Sequence, residues 1–186
     1  MRATEILMEE HRAIERVLSS LERATNRLNR GEDVYLRFFS GCSAFFRGFV
    51  DNCHHKKEEQ FLFPALIENG IPKESGPIAV MLAEHAQGRY LAQMLGSATM
   101  QFQAGDVRKR EELIISAAGY IKLFRQHIYK EEHVLSPLAE KIIPLEQQIN
   151  LTQSFESMLH EDLGEDIHAK YFGLAERLER ESVRNS

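Results

Sequence analysis

Apolar residues recur every three to four positions along most of this chain, and no stretch shows the sustained alternation or β-branched runs of a strand. Gly and Pro divide the pattern into five helical segments. The first runs from about Thr4, a candidate cap residue, to Asn29, with Leu7, Ile14, Leu18 and Leu21 on one face and Gly31 as its stop. The second begins near Asp33 and carries Phe38, Phe39, Cys42, Phe46, Phe49 and Val50 to about Glu68, before the break at Gly70–Pro77. The third starts at Pro77, a favoured first-turn residue, and runs through Val80, Met81, Leu82, Leu91 and Leu95 to Gly105. Asp106 opens the fourth, which passes Leu113, Ile114, Tyr120, Leu123 and Phe124 to about Lys141 and ends before Pro144. A fifth amphipathic segment, Leu145 to about Arg180, carries Ile149, Phe155, Leu159, Leu163, Ile167, Tyr171, Phe172, Leu174 and Leu178, with Gly164 as an interior weak point.

These segments predict an all-α fold: an up-down-up-down four-helix bundle over residues 1–144, with an additional C-terminal helix over 145–186 packed on it. At 186 residues the chain is long enough for one sizeable core. The net charge of −5 offers no electrostatic footprint for nucleic acid. No apolar run approaches the length of a membrane span, and Glu5, Glu9 and Glu10 interrupt the N-terminal stretch where a signal peptide would be apolar. The expectation is a cytoplasmic protein with no membrane partner. Cys42 and Cys53 lie eleven residues apart in one predicted helix, about 16 Å along its axis and beyond disulfide reach.

Two matched segments carry the candidate chemistry. His54-His-Lys-Lys-Glu58-Glu and His127-Ile-Tyr-Lys-Glu131-Glu each place a His and a Glu four residues apart, hence on one helical face. Each has a Pro ten residues past its His, at Pro64 and Pro137. His11 precedes the first segment by 43 residues and His85 precedes the second by 42, so the halves of the chain repeat. Steps of three and four from His54 and Glu58 meet Phe46, Val50, Phe61 and Leu62, whereas steps from His55 meet Gly48, Asp51 and Asn52. This test turns His54 and Glu58 inward and His55 outward. It likewise turns His11, His85, His127 and Glu131 inward and leaves His133 on the surface.

Four inward histidines and two inward carboxylates are costly unless something satisfies them, since a buried carboxylate loses hydration worth several kcal/mol. A pair of metal ions supplies the missing charge. Imidazole with carboxylate suits iron, manganese or zinc better than magnesium or calcium. Two ions bridged by Glu58 and Glu131, with His11, His54, His85 and His127 as terminal ligands, is the arrangement this set favours.

The ordered set His11, His54 to Glu58, His85, His127 to Glu131 resembles the hemerythrin-like family in its bacterial, HHE cation-binding branch. Residues 54–64, Met81-Leu-Ala-Glu-His85, Gly88-Arg89 and Leu135-Ser-Pro137 share the likeness, which covers roughly residues 4–140. The resemblance implies a non-haem di-iron site with an oxo or hydroxo bridge, binding O₂, NO or peroxide in sensing, detoxification or iron handling. Peroxide or NO turnover at the same centre is the enzymatic version. One departure stands out: oxygen-carrying members have a second His one turn after the third-helix His, and here that position is Arg89. Water, Glu15 or a nearby Tyr is then needed to complete the coordination. Glu59 and Glu132 read as solvated neighbours, His160 and His168 as packing or surface residues, and Cys53 as a small core hydrophobe. The competing reading is a metal-free or zinc-bound helical interaction module whose fifth helix docks a partner or forms a homodimer.

Overall fold

The computed structural model describes residues 2–158 and 167–184. Every regular element among them is helical. Helix α1 (Ala3–Asn29) is followed by a second rod made of α2 (Arg37–Phe45), the wide-turn segments π1 (Phe46–His55) and π2 (Glu58–Leu62), and α3 (Phe63–Glu68). The third rod is α4 (Gly76–Gln103). The fourth joins α5 (Lys109–Lys130), π3 (Glu131–Leu135) and α6 (Ser136–Ile142). Two further helices, α7 (Leu145–Met158) and α8 (Ile167–Glu181), complete the described chain. The predicted fifth segment is thus helical on both sides of residues 159–166; Leu159, His160, Leu163 and Gly164 lie outside the described residues.

Several helix starts differ from the sequence expectation for identifiable reasons. Thr4 does not cap α1: its side chain is buried and its hydroxyl donates to Glu140 at 2.8 Å, tying α1 to α6. The first turn is held instead by Glu5, whose carboxylate accepts the Arg2 backbone N–H at 2.8 Å. The second rod begins at Arg37 rather than Asp33, because the Asp33 carbonyl accepts from Arg27 at 3.0 Å and Val34 turns into the core. Asp106 forms the turn ahead of α5, accepting the Lys109 N–H on its carbonyl at 3.0 Å and the Arg108 side chain on its carboxylate. Gly31 and Gly105 sit at φ 77° and 98°, the left-handed region where glycine closes a helix without a Cβ penalty.

The core comes in two apolar blocks with a polar layer between them. One block gathers Ile14, Leu18 and Leu21 of α1, Phe38, Phe39, Phe45, Phe46 and Phe49 of the second rod, Leu95 of α4, and Leu113, Tyr120 and Phe124 of α5. The other gathers Ile6 and Leu7, Leu62 and Leu66, Ile78 and Met81, and Leu135 and Ala139. Each rod therefore passes from one block to the other through a polar stretch: Glu10–His11, His54–Glu58, His85, and His127–Glu131. Because the rods alternate in direction, these stretches meet at one level.

The two C-terminal helices join different blocks. Leu151 and Phe155 of α7 enter the second, while Ala175 and Leu178 of α8 enter the first. Helix α8 seats on a glycine face: a Cβ at Gly41 would lie 2.7 Å from Leu178, and one at Gly48 would collide with the Tyr171 ring. Among the described residues no helix is long and apolar enough to cross a membrane. Cys42 and Cys53 are both free and buried.

Candidate metal centre

The polar layer is built on wide turns. In an α-helix successive residues point about 100° apart, so two neighbours such as His54 and His55 both face a core only across a wide buried arc. The i→i+5 bonding of π1 lowers the angular step and keeps the two neighbours on one side. His54 and His55 are each 1% exposed. The expectation that His55 points outward is therefore wrong; it assumed a uniform 3.6-residue period. Segments π2 and π3 begin at Glu58 and Glu131, so both carboxylates also sit where the helix widens. Wide turns of this kind concentrate at functional sites.

All six predicted ligands lie in this layer, each no more than 2% exposed. Four outer carboxylates orient the four histidines. His11 Nδ1 meets Glu132 at 3.1 Å, His54 Nδ1 meets Glu10 at 2.9 Å, His85 Nδ1 meets Glu59 at 2.7 Å, and His127 Nδ1 meets Glu84 at 3.0 Å. An ionised carboxylate only accepts, so each Nδ1 carries a proton and each Nε2 is the ring atom left facing inward. The pattern follows the internal repeat: Glu10, His54 and Lys57 in one half match Glu84, His127 and Lys130 in the other, with each lysine paired to its glutamate.

The inward atoms form two groups. His11, His54, Glu58 and Glu131 make one; His55, Glu58, His85 and His127 make the other; in each, one ligand atom from every residue lies within 4.8 Å of the rest. Glu58 reaches toward His54 with one oxygen (3.8 Å) and His85 with the other (3.3 Å). Glu131 does the same for His127 and His11, at 3.0 Å each. Both carboxylates thus span the two groups. Yet both oxygens of Glu58 and Glu131, and Nε2 of His85 and His127, lack any aligned hydrogen bond. Buried polar atoms are rarely left so, and here they converge. This donor set could hold transition-metal ions through its imidazole nitrogens and carboxylate oxygens, and His11, His54, His85 and His127 are each backed by a second carboxylate.

Electrostatics agree with a site built for added positive charge. Burial alone would push His11 and His127 down, but Glu131 and, respectively, Glu132 and Glu84 outweigh it and raise them to about 9 and about 10. Protons on these rings stand in for the charge a metal would bring. His55 is the exception: burial first, then His85 and His54 beside it, hold it well below the ordinary histidine range, so it is a neutral imidazole. It stacks on His85 with ring centroids 3.7 Å apart.

The sequence profile of the hemerythrin HHE cation binding domain matches residues 2–139. The chain belongs to that family. Uncharacterized proteins of Mycobacterium tuberculosis (Rv1995) and Mycobacterium bovis (Mb2018) are each 28% identical over 163 residues, covering 88% of this chain and 63% of their own length. The chain thus spans less than two thirds of these relatives. No solved structure matches it.

Within the hemerythrin fold, other expectations need correction. Glu59 and Glu132 are not merely solvated neighbours, since they hold His85 and His11. Glu15, one turn after His11, does not reach the centre; it pairs with Arg125 at 3.0 Å on the surface. Arg89 binds Asp51 and Glu59 at 2.6 Å each, so it clamps the carboxylate behind His85. His168, expected as a packing or surface residue, does pack against Phe49 and Phe172, and its Nε2 also lies 2.6 Å from the Glu10 carboxylate. The missed groups had a sequence signal: Glu10-His11 and Glu84-His85 repeat, as do Lys57-Glu58-Glu59 and Lys130-Glu131-Glu132.

Proposed function

We propose that this hemerythrin-like chain holds two iron ions and binds a small diatomic or peroxide at one of them, in sensing, detoxification or iron handling. The observation that carries this reading is the pair of buried ligand groups that share Glu58, with Glu131 reaching His11 of one and His127 of the other. Bound iron would supply reversible electron transfer and open coordination positions, which no side chain here offers. The chain's own contribution is to position, shield and admit.

The ligand's route is a cleft of about 300 Å³ between the second rod, α4 and α5 that ends on His55. Phe46, Val50, Ala92, Tyr120 and Phe124 make its wall, and Arg47, Asp51, Arg89 and Gln93 its rim. Stacked Phe46, Tyr120 and Phe124 keep bulk water from the ligand groups. Burial pushes the Tyr120 hydroxyl well above the usual phenol range, so it stays protonated. His55 offers a third imidazole to the group that lacks a histidine at Arg89. The group of His11 and His54 has no such opening among the cleft-lining residues.

The test is an anaerobic titration of iron(II)-loaded protein with NO, O₂ and peroxide, followed by absorption. Saturable spectral changes with at least one of them support the reading. Iron-loaded protein whose spectrum none of the three changes would refute the ligand-binding role, and multiple turnovers of peroxide or NO would make it an enzyme.

A further inference from the structure

The internal repeat places equivalent groups around both ligand groups, and one residue breaks the equivalence. Glu84 accepts from His127 and Lys130 and keeps some exposure, 16%, while Lys130 is 35% exposed. Its counterpart Glu10 accepts from His54 and Lys57, and both Glu10 and Lys57 are fully buried. The cover over Glu10 is α8, and the added donor is His168, whose Nε2–H reaches Glu10 Oε1 at 2.6 Å. The imidazole is seated against Phe49 and Phe172, with ring centroids 6.2 and 5.4 Å away. Nothing in the repeat corresponds to it, and it lies beyond the matched residues 2–139.

Three donors pin both oxygens of Glu10, one on Oε2 and two on Oε1. A carboxylate so held fixes the plane of the His54 ring and the direction of its Nε2 lone pair, which is how an outer residue controls a ligand it supports. On the other side Glu84 has two donors among the described residues, one of them on a partly exposed lysine. Glu10 is fully buried with His168 of α8 against it, whereas the second ligand group meets the cleft at His55.

We infer that α8 is a working part of the metal centre: His168 is a positioning residue that fixes Glu10 and, through it, His54. The inference rests on the two-ion reading above. It makes the ion of His11 and His54 the slowly exchanging member of the pair and the ion beside His55 the fast one.

The test loads the full chain with iron(II) without oxygen, adds excess ferrous chelator, and follows release by absorbance. The wild type should release iron in two phases of equal size. His168→Phe keeps the ring contacts with Phe49 and Phe172 but removes the donor, and should accelerate the slow phase about tenfold, the low end for loss of an outer-shell partner. His168→Gln keeps an N–H donor and should stay within about twofold of the wild type, since the bond to Glu10 is retained. Glu84→Gln should accelerate only the fast phase. Circular dichroism of the metal-free variants separates misfolding from a change at the centre, and should His168→Phe fail to fold, His168→Leu removes the same donor with a smaller side chain and carries the same expectation. Single-phase release by the wild type, equal acceleration of both phases by His168→Phe, a slow phase as fast in His168→Gln as in His168→Phe, or acceleration of the slow phase by Glu84→Gln would overturn the inference. A wild type that takes up no iron at all would instead overturn the two-ion reading itself.

Discussion

Replacing Glu58 with Gln should weaken the binding of both ions at once, because its two oxygens serve different ligand groups. The size of the effect follows from linkage. At free metal one hundredfold above Kd, each ion that binds only the folded chain stabilises it by about 2.7 kcal/mol. A hundredfold weaker site at the same metal concentration leaves about 0.4 kcal/mol, a loss of about 2.3 kcal/mol per site. Two sites share Glu58, so Glu58→Gln should forfeit about 4 to 5 kcal/mol of the metal-induced stabilisation. For a chain of this length that is roughly 10 to 18 °C of the metal-induced rise in Tm. His11→Ala touches only one group and should lose about half as much. The assay is differential scanning calorimetry of wild type, Glu58→Gln and His11→Ala, each with and without iron(II) under anaerobic conditions. If Glu58→Gln kept the full metal-induced rise, or lost no more than His11→Ala, Glu58 would not link the two groups.

Other perturbations test separate parts of the structure. His55→Ala should weaken the ion held with His85 and His127 and spare the one held by His11 and His54, read as one iron lost per chain by elemental analysis. Gln93→Trp at the rim of the cleft should slow NO association in stopped flow while the iron content stays at the wild-type value; an unchanged rate would move the ligand route elsewhere. Gly48→Ala forces the Tyr171 ring away and should cost about 1 to 3 kcal/mol, with faster proteolysis in α8 as the local readout. Arg125 donates to both Glu22 oxygens, at 2.9 and 3.0 Å, and holds that carboxyl below its usual range. A lowered folded value gives stability that is present above the unfolded pKa, about 4.3, and is lost as pH falls through the folded one. Glu22→Gln should therefore cost less than about 1 kcal/mol at pH 7, the pair being nearly half exposed, and the gap to wild type should close in acid.

The apolar period was enough to place four rods, and the spacing of His and Glu was enough to bring six residues to one level. Both rest on short-range geometry that sequence carries directly: residues four apart share a face, and a repeat of 42 or 43 residues returns the chain to the same height. His55 was not legible, because reading its direction required knowing that π1 bonds i→i+5; a 3.6-residue ruler turns it to solvent. Glu59 and Glu132 looked like the outer members of acidic pairs, and only the crossing of rods brings them behind His85 and His11, histidines of other helices. Glu15 failed for the opposite reason: its position one turn from His11 is right, but Arg125 on α5 holds it at the surface. His168 lies 158 residues from Glu10, and no local pattern announces a contact of that range.

The most direct test of a shared two-ion centre is the metal count of protein purified without chelators and reconstituted with iron(II), measured by elemental mass spectrometry alongside its absorption spectrum after air exposure. Two irons per chain, with both depleted in Glu58→Gln, is the predicted result. One iron, zinc alone, or no metal above trace would contradict a di-iron site shared between Glu58 and Glu131.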